Sequence, residues 1–573
     1  MAAAGHEDHD APSRAENLRR QAERAFLSGR ADEAHRIAVR ALAEAGRTTA
    51  HSGALLLEHL GRYLDAGSAS WEHDYFEQSL AELAPDAPPP ERIRVLCSGG
   101  LAHLRRGRTD DGVQALREAA ELARAAGDGA LETFVSTIVA EAALTLGNLD
   151  ESLRHTRRAR RLGIESGRHH LVVRSYFNEA RATYLRTGNV ADAARIRGAG
   201  MAYAADHGEL TTEEGNTLRL ALIEDLIEAG RWPEADGLLG DPAPGERHGS
   251  LNEVEETLVR SWLLTWRGRE PDPAPPFVRL VASSSPLHEA YLLSLALAAA
   301  ARLADHAAVE ELTGRALELA RGHLAPPSSG LYVVDALASA IRAQTTGARP
   351  PMLHPECAPH RLLETLEAVH ARVRHHVAAP YELTDGVAAV ARAEVARAAG
   401  GTGPSALGTD EAEHWETAIW VFRRTHARAR LVHALLGRAA CHRPGDDHAA
   451  ALLDEAERIA APMDARPCLD DIARLRAAHS TARHTGPEPP PLPALALTPR
   501  QREVIARLAE GRTDREIATE LRLSVRTVNA HVAQLLTRLG VRNRAEAVAW
   551  YVRSAPEGGG GGGRGSAEAG GAR

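Results

Sequence analysis

A glycine that follows an apolar helical stretch recurs at nearly constant spacing through the first half of the chain. These glycines are Gly29, Gly67, Gly107, Gly147, Gly188, Gly230 and Gly268. Successive members are separated by 38, 40, 40, 41, 42 and 38 residues, and each turn joins two helices. One helical hairpin cannot bury its apolar side alone, so neighbouring hairpins must stack. The spacing therefore predicts an all-α superhelical rod with a continuous core and a concave face.

Several of these glycines are followed by an acidic residue and then by small residues, as in GRADEA, GRTDDG, GNLDES, GNVADA and GRWPEA. These segments resemble tetratricopeptide-type helical hairpins of the longer sort, since the common repeat has about 34 residues. Ala22, Ala34, Ala102 and Ala180 suit a close crossing of the paired helices. The concave face is expected to be a binding surface, and a pure spacer is the alternative because solenoid architecture does not specify what is held.

The period is less regular from about Pro271 onward. Pro-rich breaks separate three helical stretches, predicted at His288–Leu303, Ala307–Arg321 and Leu331–Gln344. After the segment GGTGPSALG, four apolar residues recur at helical spacing and are expected in the core instead of in a cofactor site. They are Trp415, Ala418, Ile419 and Phe422.

Segment 497–550 contains four residues of the types that begin helices, each immediately ahead of a helical pattern. They are Thr498, Thr513, Ser524 and Asn543. Three of them are followed three residues later by Gln501, Glu516 or Glu546, which completes a reciprocal capping box. Pro499 suits a first helical position, and Gly511 and Gly540 lie where the first and third helices should end. The segment is predicted to form four short helices.

The third of these helices, from Ser524 to about Leu539, has two different faces. Its aliphatic face is expected to pack on the first two helices, and it carries Val525, Val528, Val532, Leu535, Leu536 and Leu539. The first two helices would contribute Val504, Ile505, Leu508, Ile517 and Leu521. The opposite face is polar and low in profile, with Arg526, Asn529, Ala530, Ala533 and Thr537. Such a face can enter a DNA major groove, which predicts a helix-turn-helix.

The motifs LTPR, EIA, SVRTVNAHV and RLGVRNRAEAV stand in order and without gaps in this segment. They closely resemble the LuxR-type helix-turn-helix of bacterial transcription regulators. The sequence differs from the family pattern at Gln501, where the family usually has Glu, and at Arg538, where the family usually has Lys. Gln still completes the capping box with Thr498, and either basic side chain reaches a phosphate.

The LuxR resemblance implies the DNA-contacting residues of this segment. The base-facing residues would be Asn529, Ala530 and Ala533, and the phosphate-contacting residues would be Arg526, Thr527, Arg538, Arg542 and Arg544. Asn can bond adenine bidentately and arginine charges give salt-sensitive, sequence-independent affinity. With two alanines among three base-facing residues, modest base discrimination is expected. A four-helix domain used only for dimerisation is the alternative, but a basic face of small residues has no packing purpose.

The charge of the chain is unevenly distributed. Residues 494–553 contain eleven Arg and six acidic residues, a balance of +5, whereas the whole chain carries −9 and the tail 554–573 is neutral. The chain before Ala494 therefore carries −14, which favours DNA contact at the C-terminal end. There is no lysine, so neither a standard Walker A loop nor a kinase lysine can be present. A receiver domain is excluded too, because the chain lacks both its lysine and its alternating strands.

Cysteine and histidine spacing gives no clear metal or disulfide site. Cys97, Cys357, Cys441 and Cys468 are far apart, which favours reduced thiols in the cytoplasm. His354, Cys357 and His360 form an H-x-x-C-x-x-H cluster without a fourth ligand, and we predict neither a metal site nor a cofactor. The pairs His169–His170 and His375–His376 are expected at the surface. No apolar run is long enough to span a bilayer and none follows the polar start MAAAGHEDHDAPSR, so we expect neither a secreted nor a membrane protein.

The helical block before the DNA-binding segment supports the same family. The runs AEHWETAIWVFRRTHARARLVHALLGRAA and AALLDEAERIAAPMDARPCLDDIARLRAAH resemble the repeat block in large ATP-binding LuxR-family regulators. The ATPase domain of those regulators is not expected here. The predicted organisation is a disordered N-terminus (1–13), a tetratricopeptide-like repeat domain (14–484), a Pro-rich linker (485–493), a four-helix LuxR-type domain (494–553) and a disordered Gly-rich tail (554–573).

Together these patterns predict a cytoplasmic, non-enzymatic transcription regulator that binds double-stranded DNA. We expect a homodimer on a two-fold site, because one helix reads too few base pairs, with Ala545, Val548, Ala549 and Val552 of the fourth helix as the dimer surface. RNA polymerase or a protein, peptide or small-molecule effector would bind the repeats. One alternative is a scaffold that sequesters another regulator, with DNA binding secondary. Another is an enzyme within 271–408, which no sequence motif supports.

Overall fold

The protein folds into two compact units, Met1–Arg483 and His484–Arg573, called here the repeat unit and the C-terminal unit. The computed structural model describes residues 14–27, 30–45, 53–66, 75–240, 251–271, 275–282, 286–322, 329–345, 355–376, 382–399, 411–443, 446–485, 499–510, 512–525, 527–529, 531–532, 535, 544 and 547. Helices account for the regular structure of these residues, and none of them is in a β-strand. The predicted all-α class is therefore confirmed. The predicted segments 1–13 and 554–573 and most of the linker lie outside the described residues, while Thr485 is the last residue of a helix.

The repeat unit is built from helices of six to twenty residues. In chain order they are α1 (Arg14–Leu27), α2 (Ala31–Ala45), α3 (Gly53–Ala66), α4 (Tyr75–Glu82), α5 (Pro89–Arg105), α6 (Thr109–Ala126), α7 (Gly129–Thr145), α8 (Leu149–Glu165), α9 (His169–Thr187), α10 (Val190–Asp206), α11 (Glu213–Glu228), α12 (Trp232–Leu239), α13 (Leu251–Trp266), α14 (Phe277–Ala282), α15 (Pro286–Arg302), α16 (His306–Arg321), α17 (Ser329–Thr345), α18 (Pro359–His376), α19 (Glu382–Ala398), α20 (Glu411–Thr425), α21 (Arg428–Ala440), α22 (Asp447–Ala460) and α23 (Arg466–Thr485). Two 3₁₀ turns lie at Pro355–Cys357 and Ala461–Met463.

Five of the predicted turn glycines are in the left-handed region of the backbone, as the spacing predicted. Gly107, Gly147, Gly188, Gly230 and Gly268 have φ of 77°, 77°, 65°, 74° and 67°. Only glycine adopts this backbone without strain, and it ends the preceding helix. Gly29 and Gly67 lie outside the described residues.

A second series of glycines, which the sequence analysis missed, separates one hairpin from the next. Gly127, Gly167 and Gly208 have φ of 62°, 67° and 73°, and each follows the second helix of a hairpin. The chain thus reverses about every 20 residues and the full repeat is about 40 residues, in keeping with helices of this length. The two series were distinguishable in the sequence by their regular alternation.

The first helices of successive hairpins pack side by side. Helices α5, α7, α9, α11, α13, α15 and α17 contact each other in order, while α6, α8 and α10 pack on the first helix of their own hairpin. The predicted small residues Ala22, Ala34, Ala102 and Ala180 are buried. At the α5–α6 crossing a Cβ added to Gly112 would stand 2.7 Å from the Gly100 carbonyl oxygen, so only glycine permits this approach.

The helical pairs continue beyond the region where the sequence period blurs. Helices α15, α16 and α17 confirm the three predicted stretches within two residues at each end. Trp415, Ala418, Ile419 and Phe422 of α20 are at most 1% exposed, which confirms their place in the core. One continuous apolar cluster runs from Leu144 to Ile472.

The repeat unit curves back on itself, and in this respect the predicted rod is wrong. Helix α21 contacts α11, although about 200 residues separate them in sequence. Arg430 of α21 makes the closing contact, with its Nε 2.9 Å from Glu228 Oε1 of α11 and its Nη1 2.6 Å from Asp335 Oδ1 of α17. The first helices of the hairpins consequently surround a cavity of about 1050 Å³.

Candidate nucleic-acid interface

The C-terminal unit has a small apolar core of its own. Helices α24 (Pro499–Ala509) and α25 (Asp514–Glu520) are followed by a third helix, whose described helical residues are Val525, Thr527–Asn529, His531, Val532 and Leu535. The core consists of Val504, Ile505, Leu508, Ile517, Ala518, Val528, Leu535 and Ala547. Val532, Leu521 and Leu523 pack against it. The predicted packing of the third helix on the first two is thus found for its described residues.

A reciprocal capping box fixes the start of α25. The Thr513 N–H donates to Glu516 Oε2 at 2.7 Å, and the Glu516 N–H donates to Thr513 Oγ1 at 3.4 Å. Both bonds satisfy backbone donors that a helix start leaves without partners. The prediction for Thr513 and Glu516 is therefore confirmed. The predicted box of Thr498 with Gln501 stays a prediction, since Thr498 lies outside the described residues, although the Gln501 side chain is only 4% exposed.

The third helix begins at Ser524, as predicted. The Thr527 N–H donates to Ser524 Oγ at 3.1 Å, and the hydroxyl groups of the two residues are 2.7 Å apart. This side-chain cap starts the third helix directly after the turn that follows α25. The predicted helix start at Asn543 lies outside the described residues.

The turn between α25 and the third helix has a feature that sequence reasoning missed. Arg522 has a φ of 54°, a left-handed backbone that residues other than glycine rarely adopt. The Leu523 N–H donates to the Ala518 carbonyl at 2.8 Å, and the Arg522 N–H donates to the Thr519 carbonyl at 3.3 Å. These are the two bonds of a Schellman turn. Because glycine usually occupies this position, the residue type gave no signal of the turn.

Asn529 is the predicted base-facing residue that the structure describes, and its side chain is exposed. Val528, its neighbour in the chain, is fully buried, so the third helix presents Asn529 on the side away from the core. Ala530 and Ala533 lie outside the described residues. The role of all three in reading bases stays a prediction.

Two of the five predicted phosphate-contacting residues are described. Thr527 is half-buried and bonded to Ser524, and Arg544 is 50% exposed. Arg544 Nη2 lies 3.4 Å from Asp514 Oδ1 and 3.3 Å from the Arg512 carbonyl oxygen, which ties the chain after the third helix to the start of α25. Arg526, Arg538 and Arg542 lie outside the described residues.

Val525 corrects one part of the predicted apolar face. Its side chain is 40% exposed, whereas the helical spacing placed it in the core with Val528 and Val532. Val525 is the first residue after the Ser524 cap, and side chains in a first turn project beyond the packed part of the helix. Leu536 and Leu539 lie outside the described residues.

Two arginines outside the predicted set hold the helices of this unit together. The Arg500 guanidinium of α24 donates to the Leu521 carbonyl at the end of α25. Arg507 Nε lies 3.0 Å from Glu520 Oε2, and it joins the same two helices. Arg500 and Arg507 therefore stabilise the packing of α24 on α25. Helical spacing alone did not distinguish these structural arginines from the arginines predicted to contact phosphate.

The histidine and cysteine clusters considered in the sequence do not form a metal site among the described residues. No group of three His, Cys, Asp or Glu there could hold a metal ion. Cys357 is buried in the repeat unit and His360 is exposed at the start of α18, while His354 lies outside. The four cysteines are all free.

His169 is half-buried, and its Nδ1 lies 2.8 Å from the Tyr203 hydroxyl, so its predicted surface position is wrong in part. The part of the chain that the structure describes contains no helix that could cross a membrane.

Comparison with known proteins agrees with this geometry. The family described as bacterial regulatory proteins, luxR family, matches residues 495–551. The probable HTH-type transcriptional regulator GfsR of Streptomyces halstedii is 40% identical over 77 residues, which are 13% of this chain and 30% of the relative. The transcriptional regulatory protein LiaR of Bacillus subtilis is 36% identical over 75 residues, 13% of this chain and 35% of the relative.

A smaller relative is covered for most of its length. The spore germination protein GerE of Bacillus subtilis is 42% identical over 57 residues, which are 10% of this chain and 77% of GerE. Residues 495–551, which match the family model, fall in the C-terminal unit, and the chain spans only about a third of the length of GfsR and LiaR. The helix-turn-helix geometry and the match to GerE lead to the same conclusion: the chain belongs to the luxR family of bacterial regulatory proteins and carries that family's DNA-binding domain.

Proposed function

We propose that this protein is a transcription regulator that reads a two-fold promoter site through its C-terminal unit and is controlled by a ligand or partner at its repeat unit. The observation that carries the proposal is the third helix, which is capped at Ser524, buried at Val528 and exposed at Asn529. This is the arrangement that a helix needs in order to enter a major groove. The proposal includes no catalytic role and no cofactor.

Base reading is assigned to Asn529, Ala530 and Ala533, and phosphate contact to Arg526, Thr527, Arg538, Arg542 and Arg544. Asn can form a bidentate pair with adenine, while arginines at phosphates release counterions and add sequence-independent affinity. One helix of this kind contacts few base pairs. Two copies of the chain on half-sites one helical turn apart would supply the missing specificity, and such a homodimer would act on the chromosome in the cytoplasm.

The repeat unit is the proposed place of control. Its first helices surround a cavity lined by both charged and aromatic side chains, and pockets of this size usually accept small molecules. A ligand there would shift the population of states in which the C-terminal units are presented to DNA. A protein partner or RNA polymerase would bind the repeat unit in the same scheme.

The test selects binding sites from random double-stranded DNA with the full-length chain at one stated salt concentration. The wild-type chain should enrich a two-fold site. Asn529→Ala should relax the preference at one position of each half-site, at a cost of about 1–3 kcal/mol. Arg526→Ala should weaken binding to all sequences and reduce the salt slope by about one per subunit.

Arg502→Ala is the matched control, because it removes an exposed arginine of α24 that has no assigned DNA contact. It should leave the selected sequence unchanged. If the wild-type chain enriches no site while Arg526→Ala, Asn529→Ala double variants keep full effect on transcription in cells, the scaffold function replaces this proposal. Enrichment of a single half-site would contradict the proposed homodimer but would still support sequence-specific DNA binding.

A further inference from the structure

The cavity of the repeat unit has two neighbouring walls of opposite charge. The basic wall consists of Arg105, Arg174, Arg181 and His288. The acidic wall consists of Glu213, Glu214, Glu224 and Glu255, from α11 and α13. All eight side chains line the same cavity.

The three guanidinium groups of the basic wall act on the carboxylate of Glu141, which also lines the cavity. Arg105 Nη2 lies 2.7 Å from Glu141 Oε1, and Arg174 Nη2 lies 2.9 Å from Glu141 Oε2, so both oxygens of that carboxylate are engaged. Burial, together with the positive charges of Arg105, Arg181 and Arg174, lowers the pKa of His288 to about 3. His288 is therefore neutral at physiological pH, and the positive charge of the wall comes from its arginines.

The acidic wall has four carboxylates, and Arg197 and Arg219 lie within electrostatic reach of Glu255. Glu255 is 9% exposed, and among the described residues it has neither a hydrogen-bond donor nor an ion-pair partner. One oxygen of Glu224 is also buried without a hydrogen bond from those residues. Burial and the charge of Glu213 raise the pKa of Glu255 to about 8. Carboxylates buried without partners are unfavourable in an empty cavity and favourable when a cation joins them.

The two walls are close enough for one short molecule to reach both. Arg174 of the basic wall lies within electrostatic reach of Glu213 and Glu214. Tyr332 lies within electrostatic reach of Arg181 as well as of Glu224 and Glu255, and its ring is 5.2 Å from that of Tyr291, edge to face. An aromatic pair beside two carboxylates suits an ammonium group, because the ring faces attract cations.

We propose that the cavity binds a small zwitterion, between a free amino acid and a tripeptide in size, with its ammonium group at Glu224 and Glu255 and its carboxylate at Arg174 and Arg181. The ammonium group would donate hydrogen bonds to the carboxylates that have no partner. The carboxylate would accept hydrogen bonds from the guanidinium groups of the basic wall. This inference rests on the proposed function only in taking the repeat unit as the part that receives an effector, and its test involves no DNA.

The experiment measures binding of synthetic peptides to the full-length chain by thermal shift and by calorimetry. The probes, called free peptides below for short, are pools of amino acids, dipeptides and tripeptides with free termini, and the same pools are used N-acetylated and C-amidated. We expect at least one free peptide to raise the melting temperature. Either modification of that peptide should weaken binding at least tenfold, because each removes one of the two charges that the walls select.

Glu224→Gln and Glu255→Gln keep the shape of the side chain and remove its charge. Each should abolish the shift produced by the free peptide while the unliganded chain stays as stable as wild type or becomes more stable. Glu121→Gln, on the exposed side of α6, is the matched control and should bind like wild type. The proposal is overturned if no free peptide binds the wild-type chain, if an acetylated or amidated peptide binds equally well, or if the Gln variants are folded and bind normally. Failure of DNA selection would leave this result unaffected.

Discussion

At the scale of single residues, the buried carboxylates of the acidic wall make a specific prediction about pH. Burial raises the pKa of Glu213 to about 7 and that of Glu255 to about 8, and it raises the pKa of Glu224 in the same direction. Glu255 faces Glu213, Arg219 and Arg197. A carboxyl whose pKa is higher in the folded state stabilises that state fully below its unfolded pKa and loses this contribution as the pH rises through the folded pKa.

We therefore expect the unliganded chain to lose stability as the pH rises from about 5 to about 9, with a slope of up to about 1.4 kcal/mol per pH unit for each proton released. Denaturant unfolding followed at several pH values measures this slope. Glu255→Gln should flatten it, whereas Glu121→Gln should not. An unchanged slope in Glu255→Gln would mean that the pH dependence originates in other groups.

At the scale of elements, the cap of the third helix links the stability of the C-terminal unit to its DNA contact. Ser524 Oγ accepts the Thr527 N–H, and a helix start without such a cap is less stable. Ser524→Ala should cost the C-terminal unit about 1 kcal/mol. It should also weaken DNA binding, because the first turn carries Arg526, Thr527 and Asn529.

Urea unfolding and DNA titration of the full-length chain measure the two effects of Ser524→Ala. Ser524→Thr retains a hydroxyl cap and should behave like wild type in both. A loss of DNA affinity in Ser524→Ala without any loss of stability would assign the hydroxyl to the DNA contact instead of to the helix start.

Much of this element-scale structure was predictable because it depends on local sequence. A glycine at Gly107 or Gly147 forces the turn that it occupies, and Thr513 with Glu516 completes a capping box within four residues. The left-handed Arg522 was not predictable, since its backbone is held by the Schellman bonds and not by its own preference. The exposure of Val525 was missed because helical spacing specifies a direction but not where the packed part of a helix begins.

Features that depend on many residues at once were beyond the sequence. The packing of α11 against α21 results from the sum of small rotations between hairpins, and no single repeat encodes that sum. The contact of Arg430 with Glu228 joins residues 202 positions apart. The two charged walls of the cavity come from α5, α9, α11, α13 and α15, and the sequence pattern of their residues is that of ordinary helical surface charges.

At the scale of the whole repeat unit, the Arg430 contact distinguishes a closed superhelix from an open one. An open repeat array is stabilised only by contacts between neighbours, and it can unfold from either end. In this chain Glu228 is 8% exposed and depends on Arg430 for its ion pair, so removal of the arginine leaves a buried carboxylate without its cation. Arg430→Met should therefore cost on the order of 2 kcal/mol and should separate the unfolding of α1–α10 from that of α11–α23.

Arg423→Met is the matched control for Arg430→Met. Arg423 pairs with Glu455 between the neighbouring helices α20 and α22, and it is 50% exposed, so its loss should cost less than about 1 kcal/mol. Calorimetric unfolding of both variants should show a second transition in Arg430→Met alone. A single transition at the wild-type temperature in Arg430→Met would show that apolar contacts between α11 and α21 close the superhelix without the ion pair. Glu228→Gln combined with Arg430→Met should recover part of the lost stability, because the double variant no longer buries an uncompensated charge.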